Sequence, residues 1–304
     1  MRKNADRPLI RALFKIVCSV AFGRARAHYQ NWLPGLSLTL PQQGANGEIR
    51  HRGVRVAALF PSDILLVPSQ SSEILIIGSG PSVANAAINA IAPKTAFLLN
   101  GAINLISSHG IEPFAVAIED ERFVWRHFET MRAHVSHEVT TLMSPAVIRA
   151  VCELDPAWLE DRRIVLINDI RKPYLVRKRS SNELSALSYV LISSTGAGFS
   201  LLPDQGVFQG GSVAITAFQF AISRRPSRIS FLGVDINNAE MPRFYERLGE
   251  QAYSGVSIAK QRILDHLQVG LTVAVEEGIE VVTYSSISAL REIGISYDRR
   301  LAMS

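Results

Sequence analysis

Residues 73–82 read EILIIGSGPS, and this stretch decides the fold. Ile74, Leu75, Ile76 and Ile77 form an uninterrupted apolar run, the pattern of a strand buried on both faces of a parallel sheet. The run ends in Gly78-Ser79-Gly80-Pro81-Ser82. Glycines admit close backbone approach, and Pro81 or Ser82 suits the opening of a helix. VANAAINAIA at 83–92 then has the small, helix-compatible residues expected there. A strand, a glycine turn and a helix N-terminus together make an anion site, because exposed N–H groups and the positive end of the helix dipole both favour phosphate. An ordinary tight turn between strand and helix has the same local sequence, so both readings stand. The dinucleotide fingerprint G-x-G-x-x-G does not fit: after Gly78 and Gly80, its third glycine falls on Val83.

Working outward, short apolar runs at 96–99, 115–118, 139–142, 164–167, 229–232 and 280–283 alternate with helix-like stretches at 103–108, 123–134, 145–153, 212–223 and 258–277. This alternation predicts an α/β fold: a mainly parallel sheet with helices on both faces. Residues 31–71 are rich in Pro, Gly and Gln, with β-like runs at 54–59 and 64–67, and read as a linker or small β appendage. The expected division is therefore 1–71, a basic helix and appendage, and 72–304, the main α/β domain. Segment 1–32 sets Arg2, Lys3, Arg7, Arg11, Lys15, Arg24 and Arg26 against Asp6 alone, with apolar residues at helical spacing. Such a helix either lies on an anionic membrane surface or packs on the domain with its cationic face in water. Its uncharged stretch, 16–23, is too short to span a bilayer. Residues 184–203 are long enough to span, but their Ser, Thr, Gly and Pro content better fits a buried segment beside a ligand.

The chain has 304 residues, 47% of them hydrophobic and 19% charged, so it can fill a core and is not disordered. A net charge of +5 permits an anionic ligand without demanding nucleic acid, and no nucleic-acid motif is visible. Cys18 and Cys152 are far apart, as expected of a protein in a reducing cytoplasm. The histidines lack metal-ligand spacing and Asp-x-Asp is absent, so no metal is expected.

In open α/β sheets, ligands bind beyond the carboxyl ends of the strands. Four predicted strand ends carry distinctive residues: 78–82, Asn100-Gly101, Glu119-Asp120 and Gly233-Val234-Asp235. Gly210-Gly211-Ser212, ahead of a helix, is a second anion site or simply an N-cap. Glu119, Asp120 and Asp235 are candidate general bases or hydroxyl-holding groups. Tyr245, Tyr253, Arg243 and Arg247 lie in a polar stretch that reads as a lid or a solvated loop. His266, inside 258–277, is a candidate base or a packing residue.

GSGPS at 78–82, LLNGAINLISSHGIEPFAVAIED at 98–120, GGSVAITAFQFAISRRPSRISFLGVD at 210–235 and GIEVVTYSSISAL at 278–290 form a familiar series. Together they resemble the superfamily of bacterial sialyltransferases of glycosyltransferase family 42, motility-associated flagellin glycosyltransferases and hydroxymethylpterin diphosphokinase-like proteins. The resemblance implies a Rossmann-like domain that binds a nucleotide-activated donor, typically a CMP-linked 2-keto acid sugar. It implies transfer, without metal or other cofactor, to a surface glycan or lipid-linked acceptor. On this resemblance Gly78, Ser79, Gly80, Pro81 and Ser82 approach the donor phosphate, and Asn100 contacts the nucleotide or sugar. Gly210, Gly211 and Ser212 surround the donor, and Asp235 faces the ribose. Glu119 falls where sialyltransferases have a donor-binding asparagine and flagellin-type relatives an acid.

Two departures follow. Sialyltransferases carry a histidine base in a G-H-S context, where this chain reads Ser254-Gly255-Val256-Ser257. The phosphate-binding tyrosine after G-x-D is also missing: Asn237 stands near its place and Tyr245 is the nearest replacement. The catalytic set expected here is therefore Glu119, Asp120, His266 and Tyr245. A pterin-type diphosphokinase using ATP and magnesium, or a non-catalytic nucleotide- or glycan-binding relative, are the alternatives. Peripheral membrane contact through 1–30 is expected of the basic helix, nucleic acid is not a partner, and the oligomeric state is open.

Overall fold

The computed structural model describes residues 8–42, 44–65, 73–238, 240–246 and 255–303. In chain order the elements begin with α1 (Leu9–Phe22), β1 (Leu36–Thr39), β2 (Gly47–His51), β3 (Val54–Phe60), β4 (Glu73–Ile77) and β5 (Ala96–Leu99). Then come α2 (Asn104–His109), β6 (Pro113–Ile118), α3 (Glu121–His134), β7 (Thr140–Met143), α4 (Pro145–Leu154), β8 (Ile164–Leu166) and α5 (Ser181–Ser185). The last are β9 (Val190–Ile192), β10 (Gly198–Ser200), α6 (Val213–Ser223), β11 (Arg228–Leu232), α7 (Lys260–Glu276), β12 (Glu280–Thr283) and β13 (Ser296–Tyr297). The result is an α/β protein whose mainly parallel sheet is flanked by helices. Two compact units divide it: Met1–Ile64 with Ile118–Ala186 and Asp204–Gly206, and Leu65–Ala117 with Leu187–Pro203 and Val207–Ser304.

In the first unit the strand order is β1-β2-β3-β8-β7. The appendage expected at 31–71 is an antiparallel meander, β1 to β2 to β3, and β3 then runs parallel to β8. Leu36 and Leu38 are buried and alternate with exposed Ser37 and Thr39, the period-two pattern of a half-buried strand. The helix α4 starts where Ser144 Oγ accepts from Val147 N and Pro145 needs no donor partner. Arg149 on α4 is fully buried and ion-paired with buried Glu121 at the start of α3. Arg149 also donates to Asn31 O at 3.0 Å and to Glu153 at 2.6 Å, so the buried cation is multiply satisfied.

In the second unit the order is β6-β5-β4-β11-β12-β13, and every pair is parallel. Ile74, Leu75, Ile76 and Ile77 are buried, as the opening run requires, each stabilising by about 1.5–3 kcal/mol when removed from water. From β4 the chain builds outward through β5 and β6, then returns to add β11 on the other side of β4. That reversal is a topological switch point, the place beyond the strand ends where open α/β sheets bind ligands. The helix α6 is buried almost all round, from Ala214 to Ile222. It is braced by Gln219, whose Nε2 donates to Phe208 O and Ile215 O while Oε1 accepts from Ser200 N and Phe208 N.

Three expectations are corrected. Residues 83–92 are not an α-helix but two 3₁₀ turns, Pro81–Asn85 and Ile88–Ala90. The chain end competes for this backbone: Ala87 N donates to Leu301 O and Ala86 pairs with Ala302. Residues 184–203 are neither a span nor wholly buried. They carry the β9–β10 hairpin, with β10 buried, β9 half-exposed, and Leu201 and Leu202 in solvent. The helix α1 does form, but it does not pack on its apolar face. Arg11 and Cys18 are buried, whereas Ile10, Leu13, Ile16, Val17 and Val20 are exposed. No helix among the described residues is long and apolar enough to cross a membrane.

Candidate active site

At the switch point of the second unit, the ends of β4 and β11 are laced together. Gly78 N donates to Leu232 O at 2.8 Å, and Gly80 N donates to Gly233 O at 2.8 Å. A Cβ on Gly80 would lie 2.5 Å from Asp235 Oδ2 and 2.7 Å from Gly233 O. One on Gly78 would collide with the Gly233 carbonyl. These glycines are therefore required by strand-to-strand packing. Asp235 is 3% exposed and works from beneath. Its Oδ2 accepts from Ser82 N at 2.9 Å, and its Oδ1 accepts from Ser82 Oγ at 2.6 Å and Ser285 Oγ at 2.8 Å. Val83 N turns back to Gly80 O. The amides of residues 78, 80, 82 and 83 are thus engaged within the protein, and Asp235 fixes the turn's shape. Directly after Asp235, Ile236 holds φ at 61°. That conformation costs a β-branched residue about 1–3 kcal/mol, and such strain collects at functional rims.

Above this frame, Phe244 N donates to Ser79 O at 3.4 Å, and the Phe244 and Tyr245 rings meet edge-on at 5.3 Å. This seats Tyr245 over the turn after β5. A Cβ on Gly101 would fall inside the Tyr245 phenol, so Gly101 makes room for it. Next to it Asn100 adopts φ 45°. Its Oδ1 is buried and, among the described residues, has no hydrogen-bond partner. A buried acceptor without a donor costs about 1–3 kcal/mol, so a strained asparagine holding one is set for a ligand group that donates.

The helix α6 leads through 224–227 into β11, which puts its N-terminus at the same edge as the strand ends. Ser212 caps it, accepting from Ala214 N, and Gly210 and Gly211 precede it with φ 55° and 108°. Arg262 of α7 donates to Gly210 O at 2.8 Å. His266 lies beneath this loop and is 2% exposed. Its Nδ1 stands 3.0 Å from Gly198 N and 2.7 Å from Gly198 O, and its ring meets Phe208. A Cβ on Gly210 would sit 2.7 Å from the imidazole, so His266 supports the loop from below.

Val256 stands just ahead of α7. Asn237 gives its Nδ2 to Glu292 at 3.3 Å. The ammonium of Lys260, followed by that amide, holds the Glu292 carboxyl below the usual carboxylate range. Glu119 and Asp120 follow β6 and fall in the first unit. Asp120 caps α3 through Arg122 N at 2.9 Å and pairs with the Arg122 guanidinium, while the Glu119 carbonyl accepts from Ser144 Oγ. Arg243 pairs with Glu246 at 2.6 Å. Tyr253 and Arg247 lie outside the described residues.

The structure therefore gathers Ser79, Asn100, Gly101 and Tyr245 at the switch point, with Asp235 under the turn and His266 under the glycine loop. Sequence reasoning missed Ser285, Phe244 and Gln219. Ser285 had a signal, a serine at the carboxyl end of the β12 run. Gln219 had none, because a glutamine among apolar residues does not announce four backbone partners.

Residues 62–297 match the family described as 3-deoxy-D-manno-octulosonic acid transferase WaaZ. Among solved structures the chain is similar to the monofunctional α-2,3-sialyltransferase Cst-I from Campylobacter jejuni, at 11% identity and TM-score 0.41, covering 79% of this chain and 86% of that one. It is also similar to MAf glycosyltransferase from Magnetospirillum magneticum AMB-1, at 14% identity and TM-score 0.45, covering 94% of this chain and 38% of that one. No curated protein matches it. The match over 62–297 places the chain in the WaaZ family of 3-deoxy-D-manno-octulosonic acid transferases, and it is a glycosyltransferase.

Proposed function

We propose that the protein transfers 3-deoxy-D-manno-octulosonic acid from a CMP-linked donor to a lipid-linked lipopolysaccharide glycan, without a metal, in the cytoplasm at the inner face of the cell membrane. The observation that carries this reading is Asn100: a strained residue at a strand end beside the switch point, next to the Gly101 that makes room for the Tyr245 phenol, with a buried Oδ1 that has no hydrogen-bond partner among the described residues. A sugar hydroxyl or a cytosine amino group supplies the missing donor. The acceptor hydroxyl attacks the anomeric carbon, the bond from that carbon to the phosphate oxygen breaks, and CMP leaves with the bonding pair. Tyr245 and Ser79 donate hydrogen bonds to the departing phosphate, and the α6 N-terminus beside Ser212 stabilises its charge. Asp235 holds the 78–82 turn in register for this. The hydroxyl proton passes to a base that is not histidine at position 256, which sets this enzyme apart from the sialyltransferase pattern.

A thermal-shift screen with CMP, CDP, UDP, GDP and ATP, each with and without magnesium, tests the reading. Stabilisation follows mass action, about 2.7 kcal/mol at a hundredfold excess over Kd. CMP is expected to stabilise in the absence of metal, and Asn100→Ala to remove the effect. A response to ATP only with magnesium, and none to CMP, would overturn the proposal in favour of pyrophosphoryl transfer.

A further inference from the structure

The N-terminal helix of the first unit is mounted the wrong way round for a packed amphipathic helix. The guanidinium of Arg11 is 3% exposed and donates to Leu33 O and Gln30 O, and Cys18 lies one face away from solvent. Charge anchors the helix inward, and its apolar residues point out. Ile10, Leu13, Ile16, Val17 and Val20 span an arc of about 120° at 100° per residue, and all are at least half exposed, Val20 at 81%.

A second element continues this surface. The Phe22 ring meets Tyr29 at 5.8 Å, and Tyr29 Oη donates to Leu175 O at 2.8 Å. His28 Nε2 donates to Val176 O at 3.0 Å and to Pro173 O at 3.3 Å, and Lys178 N donates to Ala25 O at 2.7 Å. These bonds fix loop 171–179, RKPYLVRKR, beside the end of α1. They also leave Leu175 and Val176 exposed, at 61% and 44%. Exposed Lys15, Arg24, Arg26, Lys172 and Lys178 border the combined patch. Glu183, the nearby acid, is already engaged by Arg177 at 2.5 Å.

We infer that α1 and loop 171–179 together form a docking surface for an anionic lipid bilayer. In this arrangement α1 lies in the plane of the interface with its apolar arc among the acyl chains, and Leu175 and Val176 form a second insertion point. The bordering cations meet lipid headgroups. A second copy of the chain is a poorer occupant, because two-fold contact would bring these cations against one another. The inference deepens the proposed function by giving access to a lipid-linked acceptor. The binding itself does not depend on which sugar is transferred.

The test is co-sedimentation of the full chain with phosphatidylcholine vesicles, alone or mixed with phosphatidylglycerol, with CMP stabilisation measured separately on the same samples. Binding is expected to the mixed vesicles, to weaken at high salt, and to fall about five-fold for each bordering cation removed. Leu13→Glu with Val20→Glu, and separately Leu175→Ser with Val176→Ser, should each lower partitioning at least about ten-fold. Their unfolding midpoints should stay put, because the altered side chains are exposed. Wild-type protein that stays in solution with the mixed vesicles, or binding that survives both double variants, overturns the proposal. So does a dimer by light scattering that Val20→Glu converts to monomer. Retained CMP stabilisation in any of these cases would leave the transferase reading intact.

Discussion

Replacing Asp235 by asparagine separates a structural carboxylate from a ligand-facing one. In the folded protein Oδ1 accepts from two hydroxyls, Ser82 Oγ and Ser285 Oγ, and Oδ2 accepts from Ser82 N. Asparagine can keep its oxygen on the hydroxyls only by pointing its amide at Ser82 N, donor against donor. A hydrogen bond to a charged group contributes about 1.5–3 kcal/mol, and a stranded buried donor costs about 1–3 kcal/mol. The two surviving bonds also drop from charged to neutral acceptors. Recovered desolvation of the carboxylate offsets part of this, so the net loss is about 3 kcal/mol. Urea unfolding followed by circular dichroism reads it as a lower midpoint with unchanged slope. In a double-mutant cycle, Ser82→Ala with Asp235→Asn should show coupling of about 1 kcal/mol or more, since the groups touch. An Asp235→Asn protein as stable as wild type, but no longer stabilised by CMP, would refute the reasoning: its carboxylate would then face the donor rather than the turn.

Other outcomes follow from the same geometry. Asn100→Gly relieves a left-handed backbone and should raise stability by about 1 kcal/mol, while weakening CMP binding at least about ten-fold; thermal unfolding with and without CMP reads both, and a loss of stability would contradict the strain argument. Gln219→Leu strands Ser200 N and both backbone groups of Phe208, and should cost about 3–5 kcal/mol in urea unfolding. Burial, outweighing two backbone hydrogen bonds and Asp169, holds the His28 imidazole below its ordinary value of 6.5, with Lys172 adding to the depression. The native state then binds fewer protons than the unfolded chain, so stability is lost as pH falls below 6.5 toward the folded value. In thermal scans across that window, His28→Gln should flatten the slope.

The sheet was legible because buried parallel strands are written as bare apolar runs. Runs at 74–77, 96–99 and 280–283 became β4, β5 and β12 with little change. Residues 83–92 misled for the opposite reason: small residues suit a helix, but pairing with the chain end at 301–302 is invisible locally. The site was half legible. Glycines at 78 and 80 marked a close approach, and the thing approached is the end of β11. Asn100-Gly101 was singled out as a strand end and Tyr245 as the nearest replacement for a motif tyrosine, yet nothing in the sequence said that Gly101 gives that phenol its room. The helix α1 was read correctly as amphipathic, but periodicity cannot say which face turns outward. Arg11, a buried cation on the inner face, decides that.

On the proposed reading, the β4–β11 switch point binds a CMP-linked donor and the protein transfers its sugar. The most direct measurement incubates purified protein with CMP-3-deoxy-D-manno-octulosonic acid and a lipid-linked lipopolysaccharide core acceptor, and follows CMP release and the acceptor's mass. The account predicts CMP release coupled to addition of one sugar, retained in the presence of a metal chelator and lost in Asn100→Ala. CMP-donor left intact with every acceptor, or transfer undiminished in Asn100→Ala, would contradict it.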